Sequence, residues 1–294
     1  MSDTSVSDTS SERVYRSGVG LWFATALVTL AIPANPPRVA LVPNAVAFRD
    51  AKHGLLGTGW TACAANSGFG CRPQGTISAT SDGGHTWRVL LATNQAVVSV
   101  SIAGHVEWAR FADGVAVRSL DGGRTWRVHP PPTSSPTPCP KGANFYKANQ
   151  VVSTPNGKKW ALCVGVAGTG NQSKAVYKLV AGHWKRIAST AFPGSGPTYG
   201  GISSYGYPEG LAMADDGFGL IWESRGTLYV TRDGGYQWTG LPKIAVPERD
   251  FGHSGAVLPG GIGFVVLALG GREVRRLIET NDSGRTWHTV HRWR

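Results

Sequence analysis

An eight-residue pattern recurs four times along this chain of 294 residues, and it limits severely what the polymer can become. Thr80, Asp82, Gly83, Gly84 and Trp87 set the offsets. Ser119, Asp121, Gly122, Gly123 and Trp126 repeat them, as do Thr231, Asp233, Gly234, Gly235 and Trp238, and Thr280, Asp282, Ser283, Gly284 and Trp287. Alternating apolar runs flank each octet, such as Gly226 to Val230 before one and Trp87 to Leu91 after another. That is the pattern of strand, tight turn, strand. The letters have physical causes. Glycine accepts the positive φ of such turns, Asp and Ser or Thr side chains bind turn amides, and Trp supplies a large apolar body to wedge between sheets.

Tyr177 to Trp184 forms a fifth, degenerate hairpin that lacks the Asp and is one residue tighter but keeps the Trp. Ser153 to Trp160 imitates the octet, yet it occupies an earlier turn, ahead of a strand that opens at Trp160. Gly54 to Trp60, His105 to Trp108, Gly217 to Trp222 and Gly261 to Phe264 open equivalent second strands. Each unit therefore has four strands. The tryptophans 87, 126, 184, 238 and 287 lie 39, 58, 54 and 49 residues apart. Four short antiparallel strands cannot bury both faces alone, and radial stacking of such units solves the problem. Forty Gly, 18 Pro and only 16% charged residues argue against helices. The expected fold is all-β, a β-propeller of four-stranded antiparallel blades. Five units are expected, at residues 37–93, 94–131, 132–191, 192–242 and 243–294; irregular outer strands would raise the number to six or seven.

The octet resembles the BNR or Asp-box repeat of sialidases, sortilin and the photosystem II assembly factor, whose bacterial relatives are exported propellers. The similarity extends from residue 45 to residue 292 and includes Phe48 to Gly54 and the run Leu228, Tyr229, Val230. It implies the fold and leaves activity open, because function lives in sites grafted onto a fold. By that resemblance Asp82, Trp87, Asp121, Trp126, Trp184, Asp233, Trp238, Asp282 and Trp287 are structural. The octet turns occupy one rim, and ligands are expected on the opposite rim.

The start of the chain reads as an address. Arg13 and Arg16 precede the apolar or small stretch Gly18 to Ile32, which ends at Pro33. At about 1.5 Å per helical residue it would cover roughly 22 Å, short of a ~30 Å hydrocarbon core. Residues 1–34 are thus expected to be a secretory signal peptide, with an uncleaved N-terminal anchor as the alternative, since Asp3, Asp8 and Glu12 are unusual in a leader. Residues 35–294 form the single propeller domain. The expected location is secreted or in the cell envelope, and the expected state is a monomer.

A basic chain, net charge +11, needs an account of its partners. The loops assigned to the ligand rim carry Arg72, Lys141, Tyr146, Lys147, Lys174, Tyr199, Tyr205, Tyr207, Arg225, Arg249 and Arg272. Such a cationic, aromatic surface suits an acidic protein, an anionic carbohydrate or a cell-envelope polymer; the alternative is a solvated basic surface. Nucleic acid is disfavoured because export separates the chain from the genome. The function expected is a non-catalytic recognition or assembly module. A divergent sialidase-like glycoside hydrolase is the alternative. It would draw on loop carboxylates among Asp113, Glu209, Glu223, Glu248, Asp250 and Glu273. Sialidases carry Phe or Tyr, Arg, an aliphatic residue and Pro near the domain start, and Phe48, Arg49, Asp50, Ala51 lacks the last two, with Asp50 placed on the octet rim.

No cofactor or metal is expected. Gly165 to Lys174 is Gly-rich, but no Lys directly follows its last Gly and no helix follows, so it reads as a strand connection. His288 and His291, three apart on a strand, are expected on opposite faces. The four Cys lack Cys-x-x-Cys spacing. Pairing Cys63 with Cys71 and Cys139 with Cys163 is one of three possibilities, and four free thiols are the rival reading.

Overall fold

The computed structural model describes residues 42–59, 74–130, 139, 145–191, 198–224, 228–241, 250–269 and 275–293. Residues 1–41, with the expected leader, lie outside them. The described residues form five antiparallel sheets, each of four strands paired in chain order. The first holds β1 (Pro43–Phe48), β2 (Gly54–Gly59), β3 (Gly75–Thr80) and β4 (Arg88–Thr93). The second holds β5 (Val97–Ala103), β6 (Val106–Phe111), β7 (Ala116–Ser119) and β8 (Arg127–His129). The third holds β9 (Phe145–Ser153), β10 (Lys159–Gly168), β11 (Asn171–Val180) and β12 (His183–Thr190). The fourth holds β13 (Tyr207–Met213), β14 (Gly219–Ser224), β15 (Leu228–Thr231) and β16 (Thr239–Gly240). The fifth holds β17 (Asp250–Leu258), β18 (Ile262–Leu269), β19 (Arg275–Thr280) and β20 (His288–Trp293). Each sheet falls inside one of the five units read from the repeat. The architecture is all-β and fits a β-propeller.

All four octets join a third strand to a fourth. Thr80 Oγ1 donates to Asp82 Oδ1 at 2.7 Å and accepts from the Gly84 N–H at 2.8 Å. Asp82 then accepts from the Thr86 N–H at 2.9 Å and the Thr86 hydroxyl at 2.6 Å. The turns at Asp121 and Asp282 repeat this network. At Asp233 the Thr is replaced by Gln237, so the carboxylate keeps the Thr231 hydroxyl at 2.8 Å and the backbone N–H groups of Tyr236 and Gln237 but loses the second hydroxyl. The Thr125 hydroxyl and N–H hold the Asp121 carboxyl down to about 2, and Asp82 and Asp282 are held low for the same reason. Gly83 and Gly84 adopt φ of 74° and 94°, as the turn requires. In the degenerate unit Ala181 and Gly182, at φ 49° and 79°, make a two-residue hairpin turn.

The octet turns share their rim with the turns that join first to second strands. The Gly83 N–H donates to Lys52 O, Gly234 to Gly217 O and Ser283 to Gly261 O, each at 2.9 Å. Asp50 sits on this rim, as the sequence suggests. First strands lie against first strands of neighbouring sheets: β1 against β5 and β17, and β13 against β9 and β17. Their free edge N–H groups are taken by side chains of the adjacent sheet, Val46 N–H by Ser254 Oγ and Leu211 N–H by Gln150 Oε1.

Large apolar side chains fill the seams. Trp160, Leu162 and Ile187 of the third sheet meet Leu211, Ile221 and Trp238 of the fourth. Phe48 of the first sheet stacks on Phe264 of the fifth with centroids 3.6 Å apart, which brings the two ends of the repeat array together. The Trp160 indole N–H donates to Gly234 O across its seam at 2.9 Å. Each such side chain contributes roughly 1.5–3 kcal/mol by leaving water.

A disulfide joins Cys139 to Cys163 on β10, with Cα atoms 5.7 Å apart. Cys63 and Cys71 lie outside the described residues. For a separation of 24 residues, chain entropy predicts that replacing Cys139 and Cys163 by Ser lowers stability by about 3 kcal/mol, measured by urea unfolding against the oxidised protein. A sharper probe of the repeat is Thr280→Val. The side chain is fully buried and nearly isosteric, but the Gly284 N–H loses its acceptor. A loss of about 1–3 kcal/mol is expected, measured in the same way.

Candidate functional site

On the rim opposite the octets, the seam between the third and fourth sheets encloses a buried charge pair. Lys174 stands on β11 and Glu223 near the end of β14, and neither side chain has any solvent exposure. Lys174 Nζ donates to Glu223 Oε1 at 2.5 Å, to Tyr205 O at 3.0 Å and to Gly206 O at 3.1 Å. Three acceptors use all three ammonium protons. The two carbonyls belong to the segment that links the sheets, and that segment is laced to the β10–β11 turn. The Gln172 N–H donates to Ser204 O and the Gly206 N–H to Gly170 O, both at 2.8 Å. Ser204 Oγ donates to Asn171 Oδ1 at 3.0 Å, and the Gly170 N–H donates to the Tyr207 hydroxyl at 3.1 Å. The Tyr229 hydroxyl accepts from the Ser203 N–H at 3.0 Å. Gly206 has φ 86°, and a Cβ there would stand 2.4 Å from Glu223 Oε2. Only glycine fits between strap and carboxylate.

Burial decides the electrostatics. It pushes the Glu223 carboxyl up to about 7 against the attraction of Lys174, and it pushes the Lys174 ammonium down against the attraction of Glu223. Glu223 Oε2 has no partner among the described residues. Burial and the neighbouring Glu223 push the Tyr229 hydroxyl up to about 12. The carboxyl's folded value exceeds its ordinary one, so its contribution to stability is full below about pH 4.5 and is lost as pH rises through about 7.

The structure gathers four of the sequence-derived site residues, Lys174, Glu223, Tyr205 and Tyr207, but uses them differently from expectation. Lys174 and Glu223 are sealed inside the seam because each compensates the other there, so neither presents its charge to a ligand. Tyr207 is half-buried and its hydroxyl serves the Gly170 turn. Tyr205, 50% exposed, and Tyr199, 39% exposed, do present surface. Arg72, Lys141, Arg225, Arg249 and Arg272 lie outside the described residues. Tyr146 and Lys147 on β9 and Asp250 on β17 are placed by backbone alone. Among the other carboxylates, Asp113 accepts the Val115 N–H inside a turn, and Glu209 is exposed where β13 bulges. Asn44, Val98 and His253 occupy the equivalent bulges of β1, β5 and β17. No local pattern announces these positions.

The histidine expectation is corrected. A bulge on β20 pairs His288 with Glu279 and His291 with Leu277, residues on one face of β19. Even so, His288 Nε2 contacts Glu279 Oε2 at 3.1 Å while His291 Nδ1 contacts His85 O at 2.9 Å. Among the described residues no group of three or more His, Cys, Asp or Glu side chains could hold a metal, and no helix is long and apolar enough to cross a membrane.

No family model and no curated protein matches the chain. Among solved structures, YCF48 from Cyanidioschyzon merolae superposes with a TM-score of 0.46 at 16% identity, covering 85% of this chain and 98% of that one. YCF48 bound to D1 peptide gives 0.43 at 17% identity, covering 88% and 87%. The Hadza microbial sialidase Hz136 gives 0.41 at 15% identity, covering 84% and 57%. Superpositions this loose carry no argument about activity.

The pair makes a testable prediction. Lys174→Met strands a buried carboxylate and is expected to cost about 3–5 kcal/mol, with stability falling more steeply than wild type above pH 5. The double variant Lys174→Met, Glu223→Leu is expected to recover most of that loss in urea unfolding at pH 7.

Proposed function

We propose that the five sheets close into one β-propeller over residues 35–294, exported by the leader 1–34, and that it works as a monomeric, non-catalytic recognition module in the secreted or cell-envelope space. The sealed Lys174–Glu223 pair carries this reading. A hydrolase needs carboxylates that can reach a scissile bond, and this seam spends its carboxylate on holding the inter-sheet strap in place. What the strap offers outward is backbone and tyrosine, the surface of a binding rim. The Cys139–Cys163 disulfide supports an oxidising compartment. The charge of +11 favours an acidic protein or an anionic carbohydrate as partner.

Two measurements test the proposal together. A panel of fluorogenic sialosides and glycosides is expected to give no turnover; turnover abolished by Glu223→Gln or Asp250→Asn would make the protein a glycoside hydrolase instead. Immobilised poly-L-glutamate and an acidic glycan array are expected to capture the protein in a salt-dependent way. Charge reversal at Arg72, Arg225 and Arg272, or Tyr205→Ala, is expected to weaken capture at least tenfold. Unchanged capture in those variants would remove the site from this rim.

A further inference from the structure

The octet rim holds a second, independent feature, in the seam between the first and second sheets. In three octet sheets the residue paired with the octet hydroxyl across the second and third strands is glycine: Gly54 faces Thr80, Gly219 faces Thr231 and Gly263 faces Thr280. In the second sheet the same position is Glu107, facing Ser119. This carboxylate is only 8% exposed, and its Oε2 has no hydrogen-bond partner among the described residues. Burying a carboxylate with an unpartnered oxygen is costly, and a repeat that elsewhere uses glycine has no structural need for it. Burial pushes its carboxyl up, with Arg49 opposing and Asp121 adding.

Glu107 lines a cleft of about 440 Å³, together with Arg49, His53, Trp87, Arg88 and Ile102. Trp87 brings a second unsatisfied group. Its indole N–H, like that of Trp287, has no hydrogen-bond partner among the described residues, whereas those of Trp126 and Trp238 donate to the carbonyls of Gly123 and Gly235. The carboxylates nearest the mouth are engaged: Asp50 accepts from the Lys52 and His53 N–H groups, and Asp121 is held by Thr125. Arg88 is exposed, and Arg49 lies 3.7 Å from Asp50 with much of its side chain in water. The cleft thus sets an acid with one unpartnered oxygen beside two solvent-reaching guanidinium groups, one of them shared with Asp50, and an apolar wall. A simple cation would meet the arginines, and a simple anion would meet Glu107. One skeleton carrying both charges satisfies all of them.

We propose that this cleft binds a small zwitterion of the α-amino acid type, its ammonium on Glu107, its carboxylate on Arg49 and Arg88, and an apolar side group against Ile102 and Trp87. The volume suits a ligand of that size, and arginine favours a carboxylate through its forked donors. The site is separate from the rim assigned to partner recognition, so it stands or falls on its own data.

The full chain is titrated with L-phenylalanine, N-acetyl-L-phenylalanine and L-phenylalanine amide, followed by ligand-observed NMR. Saturable binding of the free amino acid, at least tenfold tighter than either blocked analogue, is expected. Glu107→Gln is expected to erase the advantage over the N-acetyl compound, and Arg88→Ala the advantage over the amide. Glu107→Gly, which restores the residue of the other octet sheets, is expected to leave the melting temperature unchanged or raised while abolishing binding. Absence of saturable binding at millimolar phenylalanine, equal binding of the three compounds, or unchanged binding in Glu107→Gln would each overturn the proposal. So would tighter binding of D-glucuronate, which would assign the cleft to an acidic sugar.

Discussion

Four of the five third-to-fourth turns are tied by a hydroxyl that donates to an Asp and accepts from a glycine N–H two residues beyond it, and much of the molecule follows from that knot. A turn closed in this way leaves little freedom at the residue that ends the octet. The tryptophan is therefore delivered at a set height on the rim, where the neighbouring sheet must receive it. Trp126 and Trp238 complete the arrangement by donating back to their own turns. The seams then bury the apolar faces that no four-stranded sheet could cover alone.

Because seams rather than sheets are the cores of this protein, a polar group placed in a seam is costly unless something answers it. Among the described residues two seams bury a carboxylate, and they resolve the cost in opposite ways. Glu223 meets Lys174, whose remaining protons hold the strap between the third and fourth sheets, so the charges serve positioning. Glu107 meets no such partner, and its seam is open to solvent beside two arginines. The first arrangement builds a rim, and the second leaves a cleft that a ligand can complete.

Much of the fold was legible along the chain because its signals are short-range. Asp82 to Thr86 interact within a handful of residues, and the two-residue turn at Ala181 and Gly182 is marked by Gly182 between two apolar runs. The candidate site was half legible. Residue types and loop positions drew attention to Lys174, Tyr205, Tyr207 and Glu223, but nothing local reveals that residues on strands of two different sheets share one buried contact. Nor does spacing reveal a bulge, and one extra residue on β20 was enough to bring His288 and His291 to one face. Glu107 escaped notice altogether, since its oddity exists only against the register that aligns it with Gly54, Gly219 and Gly263.

The amino-acid order by itself determined the number of strands per unit, the place of every octet turn and the unit that diverges, because each depends on hydrogen bonds and dihedral preferences inside about eight residues. Only the tertiary structure decided which charges are buried, which are paired and which face a cleft. Those outcomes depend on how two sheets meet, and the free energy of a charge is set by the dielectric and partners that the meeting supplies rather than by its neighbours along the chain.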